Sequence, residues 1–220
     1  DPSWTPFNLS FGLTLSETTL LVFTGLSVAV AFRAGLFNIG TQGQLVVGAL
    51  ATALTVLTLA PVLPAGPLGG VVLVAAGTLA GAVGGGVWGA VPGALKAYAD
   101  ANEVITTIML NFVAANVAYV LVLEVFRAEG SSVVATAYVP EYARVTPWLF
   151  PGSSDFALAV LFAAVGAVTG LYYLLEHTAF GYDLRTSGIQ AAAAEYGGVD
   201  AKATTVRAMT LSGALGGVGG

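Results

Sequence analysis

Five apolar runs, each near the length that crosses a bilayer as a helix, follow one another along this chain, and a sixth begins near its end. A spanning helix needs about 20 predominantly apolar residues. The runs are Leu15–Phe32, Leu45–Ala60, Leu68–Val91, Val104–Phe126 and Phe156–Leu175, with the sixth opening near Thr204. Pro61-Val-Leu-Pro64 closes the second run and Pro92-Gly93 the third. Charged residues make up 9% of the chain and hydrophobic ones 56%. Soluble domains carry about 25% charged residues, so a water-soluble surface is excluded. The runs do not alternate as barrel strands would. The fold expected is all-α, a polytopic transmembrane bundle of about five to six spans.

The chain opens Asp1-Pro2 without Met, shows no signal-peptide pattern and stops inside an apolar segment. The expectation is a single transmembrane domain over 1–220, a portion of a longer multi-pass chain in the cell membrane. Cysteine is absent and His177 is the one histidine, which excludes disulfides, thiolate metal sites and a histidine cluster. No catalytic residues, metal or cofactor are expected. The net charge of −5 lies in loops and offers nothing to nucleic acid.

Between the first two runs lies Arg33-Ala-Gly-Leu-Phe-Asn-Ile-Gly-Thr-Gln-Gly-Gln44. Polar groups at membrane depth are costly unless they find partners or line a cavity, so Asn38, Gln42 and Gln44 are the first functional candidates. Basic residues give an orientation. With the 176–207 segment inside, Arg33, Lys96, Arg185, Lys202 and Arg207 are cytoplasmic, and Arg127 and Arg144 are outside.

The third run places Gly77, Gly81, Gly85, Gly89 and Gly93 four residues apart, one stripe on a helix. Small residues at that spacing predict close helix packing, and a sliding contact is the functional alternative. Gly166/Gly170 and Gly213/Gly217 repeat the pattern more weakly. The fourth run opens Asp100-Ala-Asn-Glu103, which resembles a capping box. Spacings of four and eight place Glu103, Thr107, Asn111 and Tyr119 on one polar face, turned to a pathway or bonded to a neighbouring helix.

Gly81-Ala-Val-Gly-Gly-Gly86 and Gly213–Gly220 lack the Lys-Ser/Thr of a phosphate loop, so no ATPase site is expected in the chain itself. In the charged segment, Gln190–Tyr196 reads as a short helix stopped by Gly197-Gly198. It is either a knob for docking into a partner groove or a plain interfacial helix.

Four motifs occur in order: Gly35-Leu-Phe-Asn-Ile-Gly-Thr-Gln-Gly-Gln44, Ala101-Asn-Glu-Val-Ile-Thr-Thr-Ile-Met-Leu-Asn111, Phe180-Gly-Tyr-Asp-Leu-Arg185 leading to Ala193-Ala-Glu-Tyr-Gly-Gly-Val199, and Leu211-Ser-Gly-Ala-Leu215. Together they resemble the permease subunits of ABC importers in the ribose/branched-chain amino acid permease family, most of all its simple-sugar and nucleoside branch. The resemblance covers about Leu15 to Gly220. It implies a permease that pairs with a second permease subunit, two cytoplasmic ATP-binding subunits below it, and a substrate-binding lipoprotein outside. It also implies ATPase coupling through the 185–199 segment, with Arg185, Gly188, Gln190, Ala193, Ala194 and Tyr196 as candidates.

The expected mechanism is alternating access for a small neutral solute, a nucleoside or simple sugar. Asn38, Gln42, Gln44, Thr107 and Asn111 are the candidates along the substrate path, since amides and hydroxyls bind without a buried charge. Tyr138, Tyr142 and Trp148 on the outer loop are expected as interface anchors, or else as contacts for the binding protein. The alternatives are a secondary transporter or channel with an interrupted helix, which needs a carboxylate deep in a span, and a purely structural subunit.

Overall fold

The computed structural model describes residues 5–128, 130–144 and 158–220. Eight α-helices occur among them: α1 (Thr5–Arg33), α2 (Thr41–Leu59), α3 (Pro67–Ala99), α4 (Glu103–Glu124), α5 (Leu158–His177), α6 (Ala179–Ile189), α7 (Ala191–Tyr196) and α8 (Ala201–Val218). Helices α1 to α5 are long and apolar enough to cross a membrane. The chain is a helical integral membrane protein.

Helix α8, which continues the predicted sixth run, is the centre of the bundle. It packs against α1, α2 and α3, and α3 is its main partner. Glycines make that approach possible. A Cβ on Gly85 would lie 2.6 Å from the Cα of Gly217, and one on Gly89 would lie 2.9 Å from the Cα of Gly213. The stripe therefore serves packing, with Gly213/Gly217 as its counterpart. Gly77 faces Thr52 of α2 instead, and Gly81 lies against both Thr52 and Gly217. The weaker Gly166/Gly170 pair makes no such contact among the described residues, where a Cβ at either position meets nothing within 4 Å.

Three local expectations are corrected. Helix α3 does not stop at Pro92-Gly93; it runs on to Ala99, with Pro92 fully buried. Close packing on α8 at Gly89 and Gly93 holds the helix through the lost hydrogen bond. The capping box at 100–103 does not form. Asp100 takes left-handed geometry (φ 49°) at the end of α3, and Asn102 caps α4, accepting from Val104 N at 3.0 Å and Ile105 N at 3.2 Å. Glu103 instead pairs with Lys96 at 3.3 Å. Tyr119 leaves the polar face of α4. A four-residue step advances by about 40°, so sixteen residues after Glu103 the side chain has swung to another side of the helix.

The loops sort to two ends. At one end Glu176 bridges Arg33 (3.5 Å) and Arg185 (2.7 Å). At the other, Tyr142 donates from its hydroxyl to Ala60 O at 3.3 Å and packs with Val56 and Leu73. Tyr142 thus ties the 126–144 loop down, whereas Tyr138 is exposed. Trp148 lies outside the described residues.

Candidate functional site: the break between α1 and α2

The polar stretch forms a re-entrant break. Helix α1 ends in a Schellman turn: Gly35 N donates to Phe32 O at 3.0 Å and Leu36 N to Ala31 O at 2.9 Å. Gly35 has φ +71°, a conformation that costs other residues, and Leu36 and Ala31 are buried together in the main core. Residues 36–40 then climb back beside α1. Thr41, the first residue of α2, sits level with Ser27, their hydroxyls 3.3 Å apart. Ser27 lies six residues before the end of α1, so α2 starts about 9 Å above that end.

Irregular backbone at such depth survives only where protein encloses it and every polar group is bonded. Asn38 does most of this. Its Nδ2 donates to Gln44 Oε1 (2.9 Å) and Ser212 Oγ (2.7 Å), and its Oδ1 accepts from Gly40 N (2.9 Å) and Gln44 Nε2 (3.2 Å). All four bonding positions of the amide are filled. Ser212 Oγ donates to Ser27 O at 2.6 Å, so its lone pairs are left for Asn38 and the Ser27 hydroxyl at 3.1 Å. Asn38, Gln44, Ser27 and Ser212 are each at most 2% exposed.

Asn111 of α4 closes the other side. The N-cap of α2, Gly40, has no side chain, so the first turn lacks a local cap. Asn111 Oδ1 accepts from Gly43 N at 2.8 Å, and Asn111 Nδ2 donates to Ile39 O at 2.9 Å. Thr107 is buried against Gly40 and bonds its own helix at Glu103 O, 2.6 Å. Gly40 and Gly43 leave α4 the room to approach.

The five path candidates therefore occupy three environments. Asn38 and Gln44 bond each other and α8; Thr107 and Asn111 fasten α4; Gln42 alone is exposed. Sequence reasoning missed Ser27, Thr41 and Ser212, whose hydroxyls complete the network. The available signal was the small hydroxyl residue within an apolar run, as in Leu211-Ser212-Gly213. Every member is neutral, which suits a structure holding polar groups at membrane depth without a buried charge.

The coupling candidates divide as well. Arg185 donates to Glu176 Oε2 (2.7 Å) and to Leu175 O (2.5 Å). Gly188 lies on the break itself, where a Cβ would come within 2.8 Å of Ala34 C and 2.9 Å of Gly35 N. Ala194 is buried. Gln190, Ala193 and Tyr196 are exposed, Tyr196 almost wholly at 98%. The expected short helix is present as α7, and a longer one, α6, precedes it. Leu184 anchors α6 in the core against Val30, Leu171 and Met209.

Comparison with known proteins adds the family. The chain is 32% identical over 213 residues to the guanosine ABC transporter permease protein NupP of Bacillus subtilis, covering 95% of this chain and 58% of the relative. It is 31% identical to the nucleoside ABC transporter permease protein NupB of Lactococcus lactis, covering 96% of this chain and 58% of the relative. It is 32% identical to the glucose ABC transporter permease protein TsgB13 of Haloferax volcanii, covering 96% and 56%. The chain thus spans a little over half the length of these relatives. No solved structure shows a significant match. A family described as "Branched-chain amino acid transport system / permease component" matches residues 10–220, and the chain belongs to that family.

Proposed function

We propose that this chain is part of the membrane-spanning subunit of an ATP-binding-cassette importer that carries a nucleoside or simple sugar. The observation that carries this reading is the mounting of α7. An exposed helix of six residues is fixed to the bundle through Arg185, Glu176 and Gly188, and Gly188 touches the turn that opens the α1–α2 break. A push on α7 is thereby delivered to the break between α1 and α2. The names of the relatives support the solute class.

In this reading the Arg33, Glu176 and α7 end is cytoplasmic and receives ATP-binding subunits through Gln190, Ala193 and Tyr196. A second permease subunit completes the path, and a substrate-binding lipoprotein delivers solute at the Tyr138 end. Gln42 is the member of the break free to meet solute. ATP hydrolysis belongs to the partner subunits. The buried amide and hydroxyl network around Asn38 contains no carboxylate among the described residues, which favours nucleotide-driven transport over ion coupling.

The test is the full-length chain purified with its partner subunits and placed in vesicles. ATP-dependent uptake of a nucleoside or sugar is expected. Uptake that persists without ATP, or a permease that retains no ATP-binding subunit, would overturn the reading.

A further inference from the structure

The segment that begins with α4 returns to α2 twice. Asn111 of α4 holds the start of α2 through Gly43 N at 2.8 Å and Ile39 O at 2.9 Å. The chain then follows α4 to Glu124, turns back where Ala128 N donates to Ala135 O at 2.9 Å, and lays the Glu141–Ala143 turn on the other end of α2. There the Tyr142 hydroxyl donates to Ala60 O at 3.3 Å, one residue past the end of α2. Val139, Tyr142 and Ala143 pack with Val56, Leu59 and Leu73. A Cβ on Gly70 of α3 would collide with Tyr142 O, so the bare glycine leaves room for this seat.

Between these two attachments α2 is one unbroken helix. Its 19 residues contain no proline, and Pro61 comes only after Ala60. At about 1.5 Å per residue it is about 28 Å long, close to the thickness of the hydrocarbon. It is also held near its middle. Thr52 Oγ1 donates to Gly77 O of α3 at 2.9 Å, and a Cβ on Gly48 would lie 2.5 Å from the Cα of Gly217 in α8. A straight helix fixed near its centre and gripped at both ends can tilt, but it cannot shorten or bend without losing its own hydrogen bonds.

The two grips differ in strength. The inner one is a pair of hydrogen bonds at 2.8 and 2.9 Å beside the buried Thr107. The outer one is a single bond of 3.3 Å, beyond the usual length, and a small apolar cluster. Its loop presents Tyr138, 92% exposed, four residues before Tyr142. Arg144 ties that loop to itself, its Nε donating to Val139 O at 3.2 Å. The outer end of α2 is thus the end more easily displaced, and Tyr142 is the side chain that holds it.

We propose that α2 carries displacement of the outer loop to the break, and that Tyr142 is the positioning residue through which the displacement enters. The partner that supplies it is the solute-loaded lipoprotein, docking at Tyr138. This rests on the importer reading above and names how cargo arriving at one end alters the break near the other. Coupling over such a distance is carried by a rigid element with a hold on both sites. Pivoting at Gly48 and Thr52, α2 turns a movement at Tyr142 into an opposite one at Gly43, where Asn111 and the 36–40 segment meet it.

The experiment uses the full-length chain with its partner subunits in vesicles, any other cysteine replaced and a nitroxide spin label on Gln42→Cys. Adding solute-loaded lipoprotein is expected to change the label's spectrum. Tyr142→Ala should abolish that change while lipoprotein still binds on pull-down. It should also cut lipoprotein-stimulated ATP hydrolysis about fivefold or more, the lower edge of ordinary coupling between sites. Tyr142→Phe keeps the ring in its seat and should retain most of both responses. A merely structural Tyr142 would lower the melting midpoint in Tyr142→Ala and leave the label's response intact, and that result overturns the proposal. Loss of lipoprotein binding in Tyr142→Ala also overturns it, since the residue would then belong to the docking surface. If Tyr142→Ala does not assemble, Gly70→Ala, which forces Tyr142 off its seat, is expected to abolish the response, and an unaltered response there overturns the proposal. Unlabelled protein that takes up solute with ATP, paired with a label that never responds to lipoprotein, overturns the proposal and leaves the importer reading intact. Absence of ATP-dependent uptake overturns the importer reading itself.

Discussion

The amide of Asn38 donates to the hydroxyl of Ser212 at 2.7 Å, joining the interrupted span to the central helix across 174 positions of sequence. Removing either partner leaves a buried group unpaired, at about 1–3 kcal/mol for each. A Ser212→Ala variant strands one Asn38 N–H, while the Ser27 carbonyl keeps its bond within α1. It should lower stability by about 1–3 kcal/mol, and Asn38→Leu, which strands Gly40 N and Gln44 as well, should cost more. Thermal unfolding of the full-length protein in detergent measures both; equal midpoints would show that the network is not closed in this way.

Glycine spacing alone does not identify the glycines that matter, and contact does. Gly85→Ala drives a methyl to 2.6 Å from the Cα of Gly217, and backbone cannot yield cheaply there. Misfolding or a loss of several kcal/mol, about the cost of overpacking, is expected. Gly166→Ala meets open space among the described residues and should leave stability unchanged or raise it by up to about 1 kcal/mol through helix propensity. Expression level and the detergent melting midpoint separate the two.

Adjacent alanines of α7 should behave oppositely. Ala193 is exposed and Ala194 is 4% exposed. Ala193→Arg is expected to leave the fold intact and abolish retention of the ATP-binding subunits, whereas Ala194→Arg should unfold the α6–α7 region first. Pull-down together with size-exclusion profiles reads both, and retained assembly by Ala193→Arg rejects the docking role.

Gly35 is held by two constraints at once. Its φ of +71° costs other residues about 1–2 kcal/mol, and a Cβ there would lie 2.8 Å from Gly188 O. Gly35→Ala should therefore destabilise by at least that amount and depress transport further than a matched loss of stability elsewhere, because it parts α6 from the break. Uptake compared with a variant of equal melting midpoint tests this.

The Glu176 clamp makes a contrasting case. Its partners, Arg33 and Arg185, are partly exposed, and such pairs contribute at most about 1 kcal/mol. Glu176→Gln should shift the melting midpoint little, since Arg185 keeps its bond to Leu175 O. A large loss of stability that disappears at high salt would contradict this.

The helical class and five of the membrane-length helices were legible because burial in lipid demands long apolar runs, and that demand is written locally. Gly197 as the end of α7 and the interruption of the helices within 33–44 were legible for local reasons: backbone geometry, and the cost of polar groups at depth. The misread positions were those where two local signals competed. Asp100 had to end α3, which left capping to Asn102, and Pro92 was tolerated because α8 supports the helix from outside.

Sequence alone thus determined that polar groups interrupt a span and that glycines line a helix, since both follow from the chain's own composition and period. Only the tertiary structure decided which of them face inward. Asn38 spends its bonds on Gln44, Gly40 and Ser212, Asn111 caps a helix that has no cap of its own, and Gln42 is left exposed. A polar side chain has the same cost in lipid wherever it sits. Whether it is satisfied by the fold or reserved for a ligand depends on what a distant segment brings beside it.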